Sequence, residues 1–279
     1  MTVAQNIKIQ DAVIPRFGVN ARRLRGVDCR TRIADSIAAG ARCIDTAQAY
    51  GNEIAVGQAI RESGVNRDDL FVVTKVQIND YKPYDLLWSV RESLDRLRLD
   101  HVDLLLLHGV HPKLGLDRTL DAQREACDRG LARFTGVANF SAAQFELAAS
   151  KSDKPLICNE IEYHPFVNRD NELKAVRERG AALLAYAPLA MGAVNMSETL
   201  IDIGREYDRT PAQVAMRWLM QQDSVCALPR PVDKTEVAQL MDIFSFELSA
   251  EAMARIYDLR SENLVLCHSD ETASWSEAA

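Results

Sequence analysis

The chain has little of what would point to nucleic acid, membranes, metals or an oxidising compartment. Its formal net charge is -7, from 33 lysines and arginines against 40 acidic residues, so no broad basic field exists for phosphate backbones or anionic lipid surfaces. Nucleic acid and membrane partners are therefore not expected. The six cysteines, Cys29, Cys43, Cys127, Cys158, Cys226 and Cys267, form no C-x-x-C pair and show no metal-ligand spacing. They read as small apolar residues in a reducing compartment, and no metal site is expected. No apolar run approaches the ~18 residues a membrane helix needs, and "MTVAQNIKIQDAVIPRFGV" lacks a charged region followed by a long apolar one. A cytoplasmic protein is the natural reading. There is also no Pro/Gly/Ser-rich linker, charge block or short repeat to divide residues 1–279, so one domain is expected.

What is present is a balance of 47% hydrophobic and 26% charged residues over 279 positions, enough for one substantial core. Short apolar runs rich in Val, Ile and Leu recur: "PRFGVN" (15–20), "CIDTA" (43–47), "LFVVTKV" (70–76), "VDLLLLHG" (102–109), "FTGVANF" (134–140), "LICNEIEY" (156–163), "ALLAYAPL" (182–189) and "VCALPRP" (225–231). Helix-period segments such as "TRIADSIAAG", "DLLWSVRESLDRLR", "ELKAVRERG" and "PAQVAMRWLMQQ" lie between them. Strict alternation predicts right-handed βαβ units and a parallel sheet. Eight strands suit a closed (β/α)8 barrel, preceded by a hairpin over "IKIQDAVIP". An open doubly wound sheet is the runner-up, but the G-x-G-x-x-G turn it usually carries after its first strand is missing. The region from about 261 to 279 loses periodicity and reads as a tail, with Trp88 and Trp218 expected to pack on helix faces.

In such a barrel the active site lies at the C-terminal ends of the strands, so polar residues closing apolar runs are the first candidates. Asp45 and Tyr50 follow the second strand, Lys75 ends the third and His108 ends the fourth. Each alone has a bland alternative: a helix cap, a wall residue, or a satisfied structural group. Together they form a working acid. A phenol with reference pKa ≈ 10 is a weak donor at neutral pH. Lys75 would stabilise its phenolate, Asp45 would keep Lys75 charged and oriented, and His108 would hydrogen-bond a carbonyl oxygen. This relay generates no nucleophile, so it needs an external reductant, and a nicotinamide hydride is the obvious one. His101, His111 and His268 read as surface groups, and His164 as a loop-shaping residue.

"DTAQAYGNE" (45–53), followed in order by "VVTKV", "VDLLLLH", "GVANFS", "NEIEYHP", "AYAPL" and "TPAQVAMRW", resembles the aldo-keto reductase family from about Pro15 to Leu259. The resemblance implies a tetrad of Asp45, Tyr50, Lys75 and His108. It implies that Asn139 and Glu160 hold the nicotinamide carboxamide, that Tyr186 stacks on the ring, and that Pro188 and Leu189 of "AYAPL" line the cofactor. Two departures fall here: Ala138 stands where the family usually has Ser, and Glu160 where it usually has Gln. A lost hydroxyl removes a hydrogen bond worth on the order of 1 kcal/mol. Gln77 and Gly109 replace the aromatic residues expected around the substrate, which implies a roomier, more polar pocket, and Trp275 could fold over it. The short segments resemble those of bacterial members such as diketogluconate reductases.

The block "PRPVDKTEVAQL" (229–240) departs from the family's 2'-phosphate motif, leaving Arg230 as a cation and Glu236 where a cation is usual. NADP(H) is the expected cofactor, with NAD(H) also accommodated, because an acidic residue can accept from a free 2'-hydroxyl. The expected protein is a monomer or weak homo-oligomer acting on a small carbonyl compound. Two other classes stay open: a Schiff-base aldolase using Lys75, and a cofactor-bound regulatory protein without turnover.

Overall fold

The computed structural model describes residues 5–111 and 114–267. The chain opens with an antiparallel hairpin, β1 (Asn6–Ile9) and β2 (Ala12–Pro15). Eight parallel strands follow: β3 (Gly18–Asn20), β4 (Cys43–Asp45), β5 (Phe71–Val76), β6 (Val102–Leu107), β7 (Ala132–Ala138), β8 (Leu156–Glu162), β9 (Ala182–Tyr186) and β10 (Val225–Leu228). Each pairs with the next in sequence order. A parallel bridge between Phe17 and Ala227 closes the ring, with Ala227 N donating to Arg16 O at 2.8 Å and Asn20 N to Pro229 O at 2.9 Å. This is the (β/α)8 barrel with an N-terminal hairpin that the alternation predicts.

The helices between strands are α1 (Gly26–Ala38), α2 (Glu53–Glu62), α3 (Pro83–Leu97), α4 (Leu116–Asp128), α5 (Ala142–Lys151), α6 (Asp170–Glu178), α7 (Glu198–Tyr207) and α8 (Pro211–Met220), with α9 (Lys234–Met241) and α10 (Ala250–Asp258) after the last strand. Their starts are written locally. α5 and α8 carry full capping boxes, Ser141 with Gln144 and Thr210 with Gln213, and Pro211 occupies the first turn of α8, where a missing N–H costs nothing. On α3, Leu86, Leu87, Val90, Leu94 and Leu97 form the buried stripe. Trp88 lies off that stripe and is 55% exposed, so the expectation that it packs is corrected, while Trp218 is buried as expected.

Strand alternation sorts the core into two layers. Ile44, Val72, Leu105, Val137, Leu183 and Ala227 pack outward against the helices. Cys43, Val73, Leu106, Cys158, Leu184 and Cys226 point into the lumen, where Ile9, Ala12 and Ile14 of the hairpin plug the N-terminal end. The same parity fixes the mouth. Asp45, Lys75, His108, Glu160 and Tyr186 each stand two residues beyond a lumen residue of their own strand, so they continue the inward face at the C-terminal end. A slip of one residue in any of these strands would send its ionisable end toward the helices.

Candidate active site

The motif Asp45–Glu53 builds the centre residue by residue. Thr46 Oγ1 donates to Asn52 Oδ1 at 2.7 Å, and Asn52 Nδ2 in turn donates to Ala21 O at 2.8 Å and Leu24 O at 3.1 Å, tying the loop after β3 to the start of α2. Gln48 reaches the Ser89 carbonyl of α3 with its amide nitrogen at 3.0 Å and accepts from Gln77 N at 2.9 Å. Between these anchors a single 3-10 turn, Gln48–Tyr50, presents Tyr50, and Gly51 ends the turn at φ 62°, a conformation that favours glycine. Glu53 accepts from Thr74 Oγ1 and from Arg96 Nε, each at 2.7 Å, fixing α2 against β5. The motif therefore places one tyrosine through hydrogen bonds to three neighbouring elements.

Below Tyr50 the lumen is charged. Lys75 is fully buried and donates to Asp45 Oδ1 and to Thr46 O at 3.2 Å. Asn20 Nδ2 donates to the other Asp45 oxygen at 2.5 Å. Asn20 ends its apolar run just as Asp45, Lys75 and His108 end theirs, so the same sequence signal marks it, although it was not among the candidates. Glu160 Oε2 approaches Lys75 Nζ to 3.1 Å from the opposite wall. Lys75 thus sits between two carboxyl groups, an arrangement the sequence does not announce. Burial pulls the ammonium down, but Asp45, Glu160 and Tyr50 outweigh it, and Lys75 is held above the ordinary lysine range.

The Nζ of Lys75 lies 5.3 Å from the centroid of the Tyr50 ring, and the His108 ring meets Tyr50 edge to face with centroids 5.9 Å apart. All four candidates for the relay come together. Burial raises the Tyr50 phenol above its usual range, and Lys75 opposes that rise without cancelling it. Burial, then Lys75 and Arg22, pull His108 down to about 3, so the imidazole is neutral at physiological pH. Its Nδ1 is buried and has no hydrogen-bond partner among the described residues.

The adjoining strand ends form a second group. Asn139 follows β7 at φ 61°; its amide nitrogen donates to His108 O at 2.9 Å and its Oδ1 accepts from Tyr186 OH at 2.9 Å. Ala138 pairs in register with Glu160, two residues before the end of β8, and Glu162 with Tyr186, while Asn139 N donates to Glu160 O at 2.9 Å. Beyond Tyr186 the chain turns through Ala187 at φ 50°, Pro188 and Leu189. Arg230 is exposed after β10. Glu236 stands in the first turn of α9, where it accepts from Val232 N at 3.0 Å while its own N–H donates to the cap Asp233 at 2.8 Å.

Gln77 is exposed at the end of β5, with its Nε2 donating to Asp80 at 3.2 Å. Gly109 is buried and exchanges two hydrogen bonds with the Tyr81 hydroxyl, at 2.8 and 3.0 Å. His164 is fully buried, 3.1 Å from Glu162, and accepts from Phe166 N at 3.2 Å, which is the structural role expected of it. His101 and His111 are half-buried rather than fully exposed, and His111 Nδ1 accepts from Leu114 N at 2.9 Å. The tail expectation changes too. Residues 259–262 form a 3-10 turn, and Glu162 receives Leu266 N at 2.8 Å and Cys267 N at 3.1 Å, strapping this segment across the barrel mouth. His268 and Trp275 lie outside the described residues.

A buried lysine between two carboxyls thus lies under a tyrosine and a neutral histidine at the C-terminal mouth of a (β/α)8 barrel. A profile of the Aldo/keto reductase family matches residues 27–261, and the chain belongs to that family. An aldo-keto reductase of Mycobacterium avium is 36% identical over 266 residues, covering 95% of this chain and 92% of that relative. Aldo-keto reductase Rv2971 of Mycobacterium tuberculosis is 37% identical over 254 residues, covering 90% of this chain and 89% of the relative. Among solved structures, one assigned to a 2,5-diketo-D-gluconic acid reductase B has a TM-score of 0.91 at 35% identity, covering 95% of both chains. A thermostable aldo-keto reductase solved with the inhibitor epalrestat has a TM-score of 0.84 at 30% identity, covering 92% of this chain and 100% of that one. Family membership makes this an oxidoreductase of carbonyl chemistry, and such enzymes act on small carbonyl compounds with a nicotinamide cofactor in general. No helix among the described residues is long and apolar enough to cross a membrane.

Proposed function

We propose that the chain reduces an aldehyde or ketone to an alcohol using a reduced nicotinamide, with Tyr50 as proton donor. The observation that carries this reading is the stack of Asp45, Lys75 and Tyr50, with His108 edge-on to the phenol. The strand ends fit the cofactor: Glu160 is buried, its backbone carbonyl accepts from Asn139 N at 2.9 Å, and Asn139 Oδ1 accepts from the Tyr186 hydroxyl. Asn139 and Glu160 would hold the carboxamide and Tyr186 the ring face. When bound, the reduced nicotinamide supplies a hydride to the carbonyl carbon.

The chain's own residues supply the proton and the charge. Neutral His108 donates a hydrogen bond to the carbonyl oxygen and fixes it beside Tyr50. A phenol held above its usual range keeps its proton until an alkoxide develops, and the alkoxide is the stronger base. As the proton leaves, Lys75 stabilises the phenolate, and Asp45 and Asn20 keep Lys75 in place. The aldolase reading loses ground here, because a lysine held charged between two carboxyls is no nucleophile.

NADP(H) is the proposed cofactor, with weak discrimination against NAD(H). Exposed Arg230 is free to grip a 2'-phosphate. Glu236 brings a carboxylate to the same block, with one oxygen engaged by Val232 N. The experiment is carbonyl-dependent loss of reduced-nicotinamide absorbance with a panel of aldehydes, ketoses and diketones. No oxidation of either cofactor with any of them sinks the reductase reading. A strong NADPH preference in kcat/KM that survives Arg230→Ala sinks the reading of the phosphate block.

A further inference from the structure

The lumen holds more acid than base. Asp45, Lys75 and Glu160 are each buried to within 1% of full exclusion, and Lys75 Nζ contacts a carboxyl oxygen of both partners. Fully ionised, the three would leave a net negative charge in a lumen walled by Val73, Leu106 and Leu184. Such a charge is costly away from water, and one proton kept on a carboxyl removes it. The hydrogen bonds decide which carboxyl keeps it. Asp45 receives both the Lys75 ammonium and the Asn20 amide, whereas Glu160 shares only that ammonium, at 3.1 Å.

Resting on the reductase reading of Tyr50 and Lys75, we infer that Glu160 is a positioning residue of the relay, leaving Lys75 to stabilise the Tyr50 phenolate only while its own carboxyl is protonated. The groups facing it from the packed elements are few. Asp45 and Cys43 come from β4, Tyr50 from the turn after it, Lys75 from β5, Cys158 from β8 itself and Tyr186 from β9. From β7, the in-register neighbour is uncharged Ala138. Burial pushes both thiols and both phenols above their usual ranges, so all four stay neutral. Burial and then Asp45 lift Glu160 to about 8, with Lys75 only partly offsetting them. Its carboxyl therefore keeps a proton at neutral pH and gives it up near 8.

Once Glu160 ionises, two carboxylates share one ammonium and the nascent phenolate faces an added negative charge, so Tyr50 releases its proton less readily. Glutamine in the same place fills the same volume and cannot make this change. The fold therefore writes an alkaline limit into the relay through one oxygen atom.

The test uses the intact chain, first without substrate or cofactor. Infrared difference spectra of the wild type, titrated from about pH 6 to about pH 10, show a protonated-carboxyl stretch that vanishes with a midpoint near 8; Glu160→Gln lacks this band. No such band in the wild type, or its persistence in Glu160→Gln, overturns the proposal. In turnover, the wild-type kcat for carbonyl reduction falls by about tenfold per pH unit beyond that midpoint, and Glu160→Gln shows no such limb. An identical alkaline limb in both overturns it as well. Absence of turnover with any carbonyl would condemn the reductase reading instead, and the infrared titration then shows separately whether Glu160 holds the proton.

Discussion

Tyr186 gives its hydroxyl hydrogen to Asn139 Oδ1 at 2.9 Å, and Asn139 passes its amide hydrogen to the carbonyl of His108 at the same distance. The platform at the ends of β7 and β9 is thereby linked to the backbone of the histidine in the relay. Tyr186→Phe keeps the ring and removes the hydroxyl. The expected outcome is a dissociation constant for reduced nicotinamide raised about fivefold, the worth of one hydrogen bond near 1 kcal/mol, with kcat nearly unchanged. Fluorescence titration measures the first and steady-state kinetics the second. A large loss of kcat with unaltered binding would contradict the role given to the platform.

Tyr50→Phe removes the proposed proton donor and leaves the ring that Lys75 and His108 touch. Carbonyl reduction should fall by at least about 10²-fold, the usual worth of a positioned acid, while cofactor affinity stays close to wild type. Retention of most of the wild-type rate would remove Tyr50 from the mechanism.

Lys75→Met fills the space of the lysine with an uncharged chain and leaves Asp45 and Glu160 facing each other in the lumen. Loss of about 3–5 kcal/mol of stability is expected, because a buried carboxylate is left without its partner. The loss should be smaller at acid pH, where the carboxyls take up protons. Denaturant midpoints at two pH values test this, and activity should be lost at both. Undiminished turnover in a natively folded variant would contradict the role of Lys75.

His108 gives a pH dependence of opposite kind. Its folded-state value of about 3 lies below the ordinary histidine value, so the unfolded chain binds a proton there that the folded chain refuses. The stabilisation is complete above about pH 6.5 and is lost as the pH falls from there toward the folded value. His108→Gln should therefore lose less stability than the wild type between about pH 7 and about pH 4, measured by denaturant midpoints. Equal losses would mean that the imidazole is charged in the folded protein.

The parts of the site that follow the chain were legible in it. Asp45, Lys75 and His108 each end an apolar run, and the parity of their strands turns them inward. Asn20 bears the same mark on β3. The meeting of Glu160 with Lys75 was not legible, since β8 and β5 are separated by two strands in the sheet and only closure of the ring brings their ends together across the lumen. Trp88 shows the opposite case. Its spacing from Leu86 and Val90 already puts it off the buried stripe, but its bulk suggested packing. The hold of Glu162 on the tail was hidden for a third reason: besides His164, its partners are backbone N–H groups of Leu266 and Cys267, in a stretch with no periodic pattern.

That strap gives the molecule a polarity along the barrel axis. The hairpin that begins the described chain seals the floor, while the last described residue, Cys267, is pinned at the rim beside Tyr186 and Arg22. The two ends of the described chain therefore leave from opposite poles. A peptide grafted ahead of β1 hangs from the floor, a full strand length from the mouth, whereas one grafted directly after Cys267 starts at the rim beside Tyr186.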